Sequence, residues 1–139
     1  MSDEAKKKIV SRGATNKRKG SNAERHYATE FQKLGFTKCI TARYGSRVHD
    51  DAAIDLINIP LNVQIKAGKQ KGLNPVSELV YMSDRIKEKF PSYAPEHTLP
   101  KVLIHRKECD RGIKRTQYDD MVYMSFEDFA KILKLIKWE

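Results

Sequence analysis

Three residue types that act together in metal-dependent hydrolysis lie near the middle of the chain. Asp55 interrupts the apolar segment AIDLINI, and Gln64 and Lys66 lie in the next apolar segment, LNVQIKA. A carboxylate and an amide oxygen can both ligate Mg²⁺, which polarises a phosphoryl group and lowers the pKa of a bound water. A neighbouring lysine can orient or help deprotonate that water and stabilise the charge of a phosphorane. Together these residues predict phosphodiester hydrolysis.

One carboxylate is a poor site for Mg²⁺, which usually takes more oxygen ligands. A second carboxylate is therefore expected from elsewhere in the chain. The candidates are Glu24, near the N-terminus, and Asp50 and Asp51, in the segment before Asp55.

Each of these residues also has a structural interpretation. Asp55 and Lys66 fit a cross-strand ion pair, and Gln64 fits a solvent-facing strand position. Ser21 and Glu24 have the spacing of a capping box at the start of a helix. The histidines are scattered, which favours structural or surface roles for His26, His49, His97 and His105.

Apolar periodicity predicts an α/β domain of order α-β-β-β-α-β-β-α, a central mixed sheet flanked by helices. The first helix is expected from Asn22 to about Leu34, with Ser21 as its N-cap and Gly35 as its stop. The second opens at Asn74-Pro75 and the third at Ser125. Strands are predicted over 36–43, 53–59, 61–67, 101–106 and 121–124, with a loop over 44–52 and the last strand buried. Inward positions are expected at Val76, Leu79, Val80, Ile86 and Phe90 of the second helix and at Phe129, Ile132, Leu133 and Ile136 of the third.

The segments on either side of Pro60 form a predicted β-hairpin, since proline cannot donate to a ladder and belongs in the turn. If residue i faces residue 121 minus i, Asp55 lies opposite Lys66 and Ile57 opposite Gln64. The polar trio then shares one face of the sheet, with cross-strand neighbours about 5 Å apart.

Length and charge indicate one domain that binds a polyanion. The chain has 139 residues and a formal charge of +9, which favours nucleic acid as partner. Residues 1–20 hold seven Lys/Arg against two Asp/Glu and lack apolar periodicity. They are predicted to form a mobile basic arm, or simply a solvated tail, ahead of a single domain over 21–139. No apolar run reaches the roughly 18 residues of a membrane span. Cys39 and Cys109 have no metal-binding spacing, which favours a reduced, cytoplasmic protein.

These features together resemble the PD-(D/E)xK nuclease superfamily and, within it, the archaeal-type Holliday-junction resolvases. KGSNAER (19–25) resembles the family's KGxxxER opening, RYGS (43–46) its Arg- and Ser-bearing loop, Asp55 its motif aspartate and Gln64-Ile65-Lys66 its (D/E)xK tripeptide. MVYMSFEDFAKIL is similar to its closing strand and helix, so the likeness covers about residues 17–136. Ile54 stands where the family has proline. Gln64 replaces a carboxylate, which keeps an oxygen for the metal but loses its charge, so the site is expected to bind metal less tightly or to depend on Glu24 and Asp51.

The resemblance implies a restriction-endonuclease-like core and a homodimeric, structure-selective DNA endonuclease that cuts four-way junctions with Mg²⁺, or Mn²⁺ as a substitute. It implies Glu24, Asp55 and Gln64 as metal ligands and Lys66 as the residue that assists the water. Ser46 and Arg43 are expected at the scissile phosphate, and further DNA contacts at Lys17, Arg18, Lys19, Arg25, Arg47 and Lys69. The alternatives are a restriction or repair nuclease of the same fold and a non-catalytic nucleic-acid-binding protein on a decayed nuclease fold. Such an enzyme could serve a cell, a virus or a mobile element.

Overall fold

The protein folds around a five-stranded mixed sheet with helices on both faces, which confirms the predicted α/β class. The computed structural model describes residues 3–69 and 72–138, with side chains from residue 17 onward. The strands lie in chain order, β3 and β4 parallel and the other neighbours antiparallel. The elements are α1 Asp3–Lys33, β1 Ile40–Thr41, α2 Ala42–Gly45, α3 Arg47–Asp51, β2 Leu56–Ile57, β3 Asn62–Gly68, α4 Pro75–Lys89, β4 Lys101–Lys107, β5 Asp120–Tyr123 and α5 Phe126–Leu133.

The first helix is much longer than predicted. It runs from Asp3, so Ser21 lies inside it and is not an N-cap, and most of the predicted arm is helical backbone. Residues 1 and 2 lie outside the described residues. The segment is rich in alanine, lysine and arginine, which have high helix propensity, and it contains no proline. Because the segment is mostly polar, it lacks the apolar periodicity from which a helix is predicted. The predicted stop is confirmed, since Gly35 has a φ of 113° just after the last helical turn.

The segment between α1 and β2 is more helical than predicted. The strand expected over 36–43 is reduced to Ile40–Thr41, and the expected loop contains the short helices α2 and α3. Gly45 permits this close packing, because a Cβ there would lie 2.5 Å from Ile57 Cδ1 and 2.7 Å from Ile40 Cδ1. The two short helices lead the chain directly into Asp55.

The hairpin around Pro60 is present, but its register differs from the predicted one by two residues. Leu56 pairs with Val63, whereas the predicted register would pair it with Ile65. Side chains alternate along a strand, so a shift of two residues keeps each side chain on its own face. Asp55 N donates to Val63 O at 2.7 Å, and the Asp55 carboxylate accepts from Ile65 N. Asp55 therefore lies alongside Gln64 rather than opposite Lys66.

Two apolar clusters hold the helices against the sheet. α1 packs through Ala23, Tyr27 and Ala28 onto the face of β3 that carries Val63 and Ile65. On the opposite side, Met82 and Ile86 of α4 pack with Ala52 and Ile54. β3 is consequently covered on both faces, and the side chains of its even-numbered residues, including Gln64 and Lys66, lie on the face covered by α4.

The start of α4 forms as predicted, with the Asn74 side chain accepting from Ser77 N and Pro75 at the first turn. Two of its predicted inward residues, Val76 and Val80, are instead exposed. The packed face of α4 is centred on Met82 and Ile86, and this turns Val76 and Val80 away from the core.

The last strand and helix are also less buried than predicted. β5 is an edge strand, with Met121 and Val122 exposed. Ser125 caps α5 as expected by accepting from Asp128 N, but Phe129, Leu133 and Ile136 remain exposed. The apolar stripe is present, but in the part of the chain that the structure describes these three side chains are left open to solvent. No helix in the described part of the chain is long and apolar enough to cross a bilayer.

Candidate active site

The polar residues of the hairpin meet residues of α1 and α4 at one end of the sheet. Asp55 precedes β2, and Gln64 and Lys66 lie on β3. Glu24 of α1 acts on Asp55 through its negative charge, and Glu78 in the first turn of α4 contacts Gln64 and Lys66. The site therefore combines side chains from both covering helices with the two hairpin strands.

Asp55 is held in place and carries its charge unfavourably. Its Oδ2 accepts from Ile65 N at 2.7 Å. Burial raises the pKa of Asp55 to about 7, and the negative charges of Glu24 and Asp50 act in the same direction. The hydrogen bond from Ile65 and the charge of Lys66 only partly oppose this shift. A cation beside Asp55 would relieve the unfavourable charge.

Gln64 presents a buried acceptor with no hydrogen-bond partner. The side chain is only 5% exposed, and its Nε2 donates to Glu78 Oε2 at 3.1 Å. Gln64 Oε1 is the only buried side-chain oxygen or nitrogen without a partner among the described residues. Leaving such an acceptor unpaired costs about 1–3 kcal/mol. An amide oxygen of this kind is a suitable ligand for a hard cation.

Lys66 and Gln64 share a face of β3, as predicted, and both contact Glu78. Lys66 Nζ lies 3.6 Å from Glu78 Oε2, the same oxygen that accepts from Gln64. Glu78 was absent from the predicted site. An acidic residue in the first turn of a helix is common because it complements the helix dipole, so the position of Glu78 did not indicate another role.

Glu24 does not belong to a helix cap, because α1 begins at Asp3, well before Ser21. It is buried and accepts two hydrogen bonds from Arg43, at 2.8 and 3.2 Å. Hydrogen bonding to Glu24 raises the pKa of Arg43 despite the opposing effect of burial. In this arrangement Arg43 neutralises Glu24.

Ser46, predicted at the scissile phosphate, is the N-cap of α3. Its Oγ accepts from His49 N at 3.4 Å and lies 2.6 Å from His49 Nδ1. His49 Nε2 is in turn 3.0 Å from Glu96 Oε1. His49 therefore connects α3 to the turn that contains Glu96.

The other predicted carboxylates lie at the periphery. Asp51 is exposed and 3.8 Å from Arg47, while Asp50 is also exposed and contributes its charge to Asp55. Within the described residues, no group of three His, Cys, Asp or Glu side chains has the arrangement of a metal site.

The predicted DNA-binding residues are on the surface. Arg25 is bonded to Asn22, and Lys19 pairs with Glu108 at 2.8 Å. Lys19 and Lys69 converge on Glu108, and both lower the pKa of its carboxyl. The exposed members of the set are Lys17, Arg18, Lys19, Arg25, Arg43, Arg47 and Lys69.

A second basic group, not predicted, adjoins Lys19. Arg106 and Arg115 both donate to Asp120, which also accepts from the Tyr27 hydroxyl. Burial and this contact raise the pKa of Tyr27. The arginines border a cleft of about 390 Å³ that Lys19 also lines. The basic residues of α1 thus continue onto the end of β4.

The chain matches no model of a known protein family, no curated protein and no solved structure in the comparisons. Cys39 and Cys109 are free thiols.

Proposed function

We propose that the protein is a Mg²⁺-dependent DNA endonuclease selective for four-way junctions, able to use Mn²⁺ as a substitute. The observation that carries the proposal is the buried, unpartnered Gln64 Oε1, which lies one residue from the backbone amide that holds Asp55. A cation would supply what both groups lack, a partner for the amide oxygen and a countercharge for the carboxylate. The sequence resemblance and this local chemistry both support Asp55 and Gln64 as ligands.

The residues that would hold the metal are Asp55, Gln64 and Glu24. Both oxygens of Glu24 accept from Arg43, but each carboxylate oxygen retains a further lone pair. When bound, the metal would polarise the phosphoryl group and lower the pKa of a water molecule. Lys66 lies on the same face as Gln64, where its ammonium can orient the attacking water and stabilise negative charge on phosphorus.

DNA is the substrate that the charge distribution supports. The formal charge is +9, and exposed basic residues flank the site on α1 and on the segment around α3. Lys17, Arg18 and Arg25 project from the helix that carries Glu24. Contacts to phosphates hold a duplex in place without reading its sequence, which suits selection by DNA shape.

Cutting both strands of a junction requires two sites, so the proposal includes a second copy of the chain. We place that copy on an apolar groove of about 810 Å³ between α4 and the β5–α5 segment. Val76 is 70% exposed and Phe126 80% exposed along it. The groove has no net charge, although the chain as a whole is basic. Two cationic and two anionic residues line it, Lys101 and Lys131 with Glu127 and Asp128. A neutral apolar face suits a copy of the same chain better than a polyanion.

The test is cleavage of a labelled four-way junction with Mg²⁺ or Mn²⁺ by wild type, Asp55→Ala and Lys66→Ala. Wild type is expected to cut with metal and not with EDTA, and both variants to lose the activity. Asp84→Asn is the control, because Asp84 is an exposed carboxylate on α4. Equal cutting by wild type and both variants would contradict the site assignment.

Substrate and binding controls separate the alternative functions. Faster cutting of linear or flapped duplex than of the junction would indicate a restriction or repair enzyme. Salt-sensitive DNA binding without any metal-dependent cutting would indicate a binding protein on a decayed nuclease fold.

A further inference from the structure

Glu78 is positioned to replace the charge that Gln64 lacks. Asn74 caps α4 and Pro75 fixes its first turn, so the position of Glu78 is set by the helix start. Its Oε2 accepts from Gln64 Nε2 at 3.1 Å and lies 3.6 Å from Lys66 Nζ. One carboxylate oxygen thus contacts both Gln64 and Lys66.

The contact with Glu78 determines which way the Gln64 amide points. A carboxylate only accepts hydrogen bonds, so the amide must turn its NH₂ group toward Glu78. Gln64 Oε1 then faces the other way, where it is buried without a partner. Glu78 therefore holds a ligand oxygen in place for a group that the protein itself does not supply.

The same contact increases the electron density on that oxygen. A charged acceptor on the NH₂ side polarises the amide, and hydrogen bonds in series strengthen one another. Carboxylates that contact a metal ligand in this way orient it and raise its basicity. Gln64 and Glu78 together then replace one carboxylate ligand. Gln64 provides the oxygen atom, and Glu78 provides the negative charge.

We infer that Glu78 is a positioning residue that completes the metal site by acting through Gln64. The inference rests on the proposed function, because it concerns the same metal. It also explains how a QxK sequence can serve where a carboxylate is expected.

Metal binding without DNA tests the inference directly. Mn²⁺ affinity is measured by electron paramagnetic resonance of the free ion for wild type, Glu78→Gln and the exchange variant Gln64→Glu/Glu78→Gln. The control is Asp84→Asn, which removes a carboxylate from the exposed side of the same helix. Urea unfolding checks that each variant folds.

Glu78→Gln is expected to weaken Mn²⁺ binding roughly 10- to 100-fold, the usual cost of losing a partner of a metal ligand. The exchange variant keeps the total charge and moves it onto residue 64, and it is expected to bind Mn²⁺ at least as tightly as wild type. Junction cleavage is expected to follow the same order. If Glu78→Gln does not fold, the affinity of the exchange variant decides the question alone.

Two results would overturn the inference and leave the proposed function intact. The first is a Glu78→Gln variant that binds Mn²⁺ as tightly as Asp84→Asn. The second is a loss that the exchange variant does not recover, which would assign Glu78 to packing. A wild type that binds no Mn²⁺ and cuts no DNA would instead contradict the proposed function itself, and the inference with it.

Discussion

The raised pKa of Asp55 predicts that this residue destabilises the metal-free fold at neutral and alkaline pH. Its pKa is 3.8 in the absence of the fold and about 7 within it. Between these values the native state holds a proton that the unfolded chain has released, so stability falls as pH rises from about 4 to 7. The difference of about three pH units corresponds to roughly 4 kcal/mol, an upper value because Asp55 is only partly buried.

Asp55→Asn removes the ionisable group and keeps an oxygen that can accept from Ile65 N. In EDTA at pH 8 this variant is expected to be about 2–4 kcal/mol more stable than wild type, although it should be inactive. At pH 4 the native carboxyl is protonated and the unfolded one is about half ionised, so the difference should fall below about 1 kcal/mol. Urea unfolding monitored by circular dichroism at intervals from pH 4 to 9 measures both curves.

Metal provides an independent check on the same residue. Mg²⁺ at ten times its dissociation constant should stabilise wild type by about 1.4 kcal/mol and Asp55→Asn by much less. An equal stability difference between the two proteins at pH 4 and pH 8 would contradict the raised pKa of Asp55. That result would mean that burial does not destabilise the charged form of Asp55.

Three further predictions concern other parts of the molecule. Arg43→Ala leaves the buried Glu24 without a countercharge and should lower the free energy of unfolding in urea by about 1–3 kcal/mol. This is less than the full cost for a buried pair, because Arg43 is half exposed. The control Arg47→Ala should lower the free energy of unfolding by less than about 0.5 kcal/mol. Phe126→Asp places a charge in the apolar groove and should give a monomer in light scattering, while Tyr93→Asp, at an exposed aromatic residue outside the groove, should remain dimeric; identical masses for these variants would exclude the groove as the dimer contact. Replacing Lys17 and Arg18 by alanine should reduce the slope of log affinity against log salt by about 2, and an unchanged slope would mean that α1 does not contact phosphate.

The central strands and their polar residues were predictable because their signals are local. Alternation identified β3, and the Asn74-Pro75 pair identified the start of α4. Gln64 and Lys66 fall on one face because side chains alternate along any strand. An error of two residues in the hairpin register therefore did not change which face of the sheet these residues occupy.

Other features depended on contacts that a linear pattern does not contain. The partner of Glu24 is Arg43, which is brought close by the unpredicted helix α2. Glu78 joins the site because α4 packs across the hairpin, and its spacing from Gln64 carries no signal of that contact. Val76 and Val80 point outward because α4 packs against Ala52 and Ile54 through a different face, the one that carries Met82 and Ile86.

The length of α1 has a geometric consequence for a bound strand. Lys17 and Glu24 are seven residues apart on one continuous helix, so they share a face and lie about 10.5 Å apart along its axis. Phosphates of one DNA strand follow each other at about 3.4 Å along the duplex axis. For a duplex whose axis runs parallel to α1, a phosphate held by Lys17 would then lie about three nucleotides from the level of Glu24. In that arrangement two helical turns of α1, rather than a base sequence, would set the distance between the two contacts.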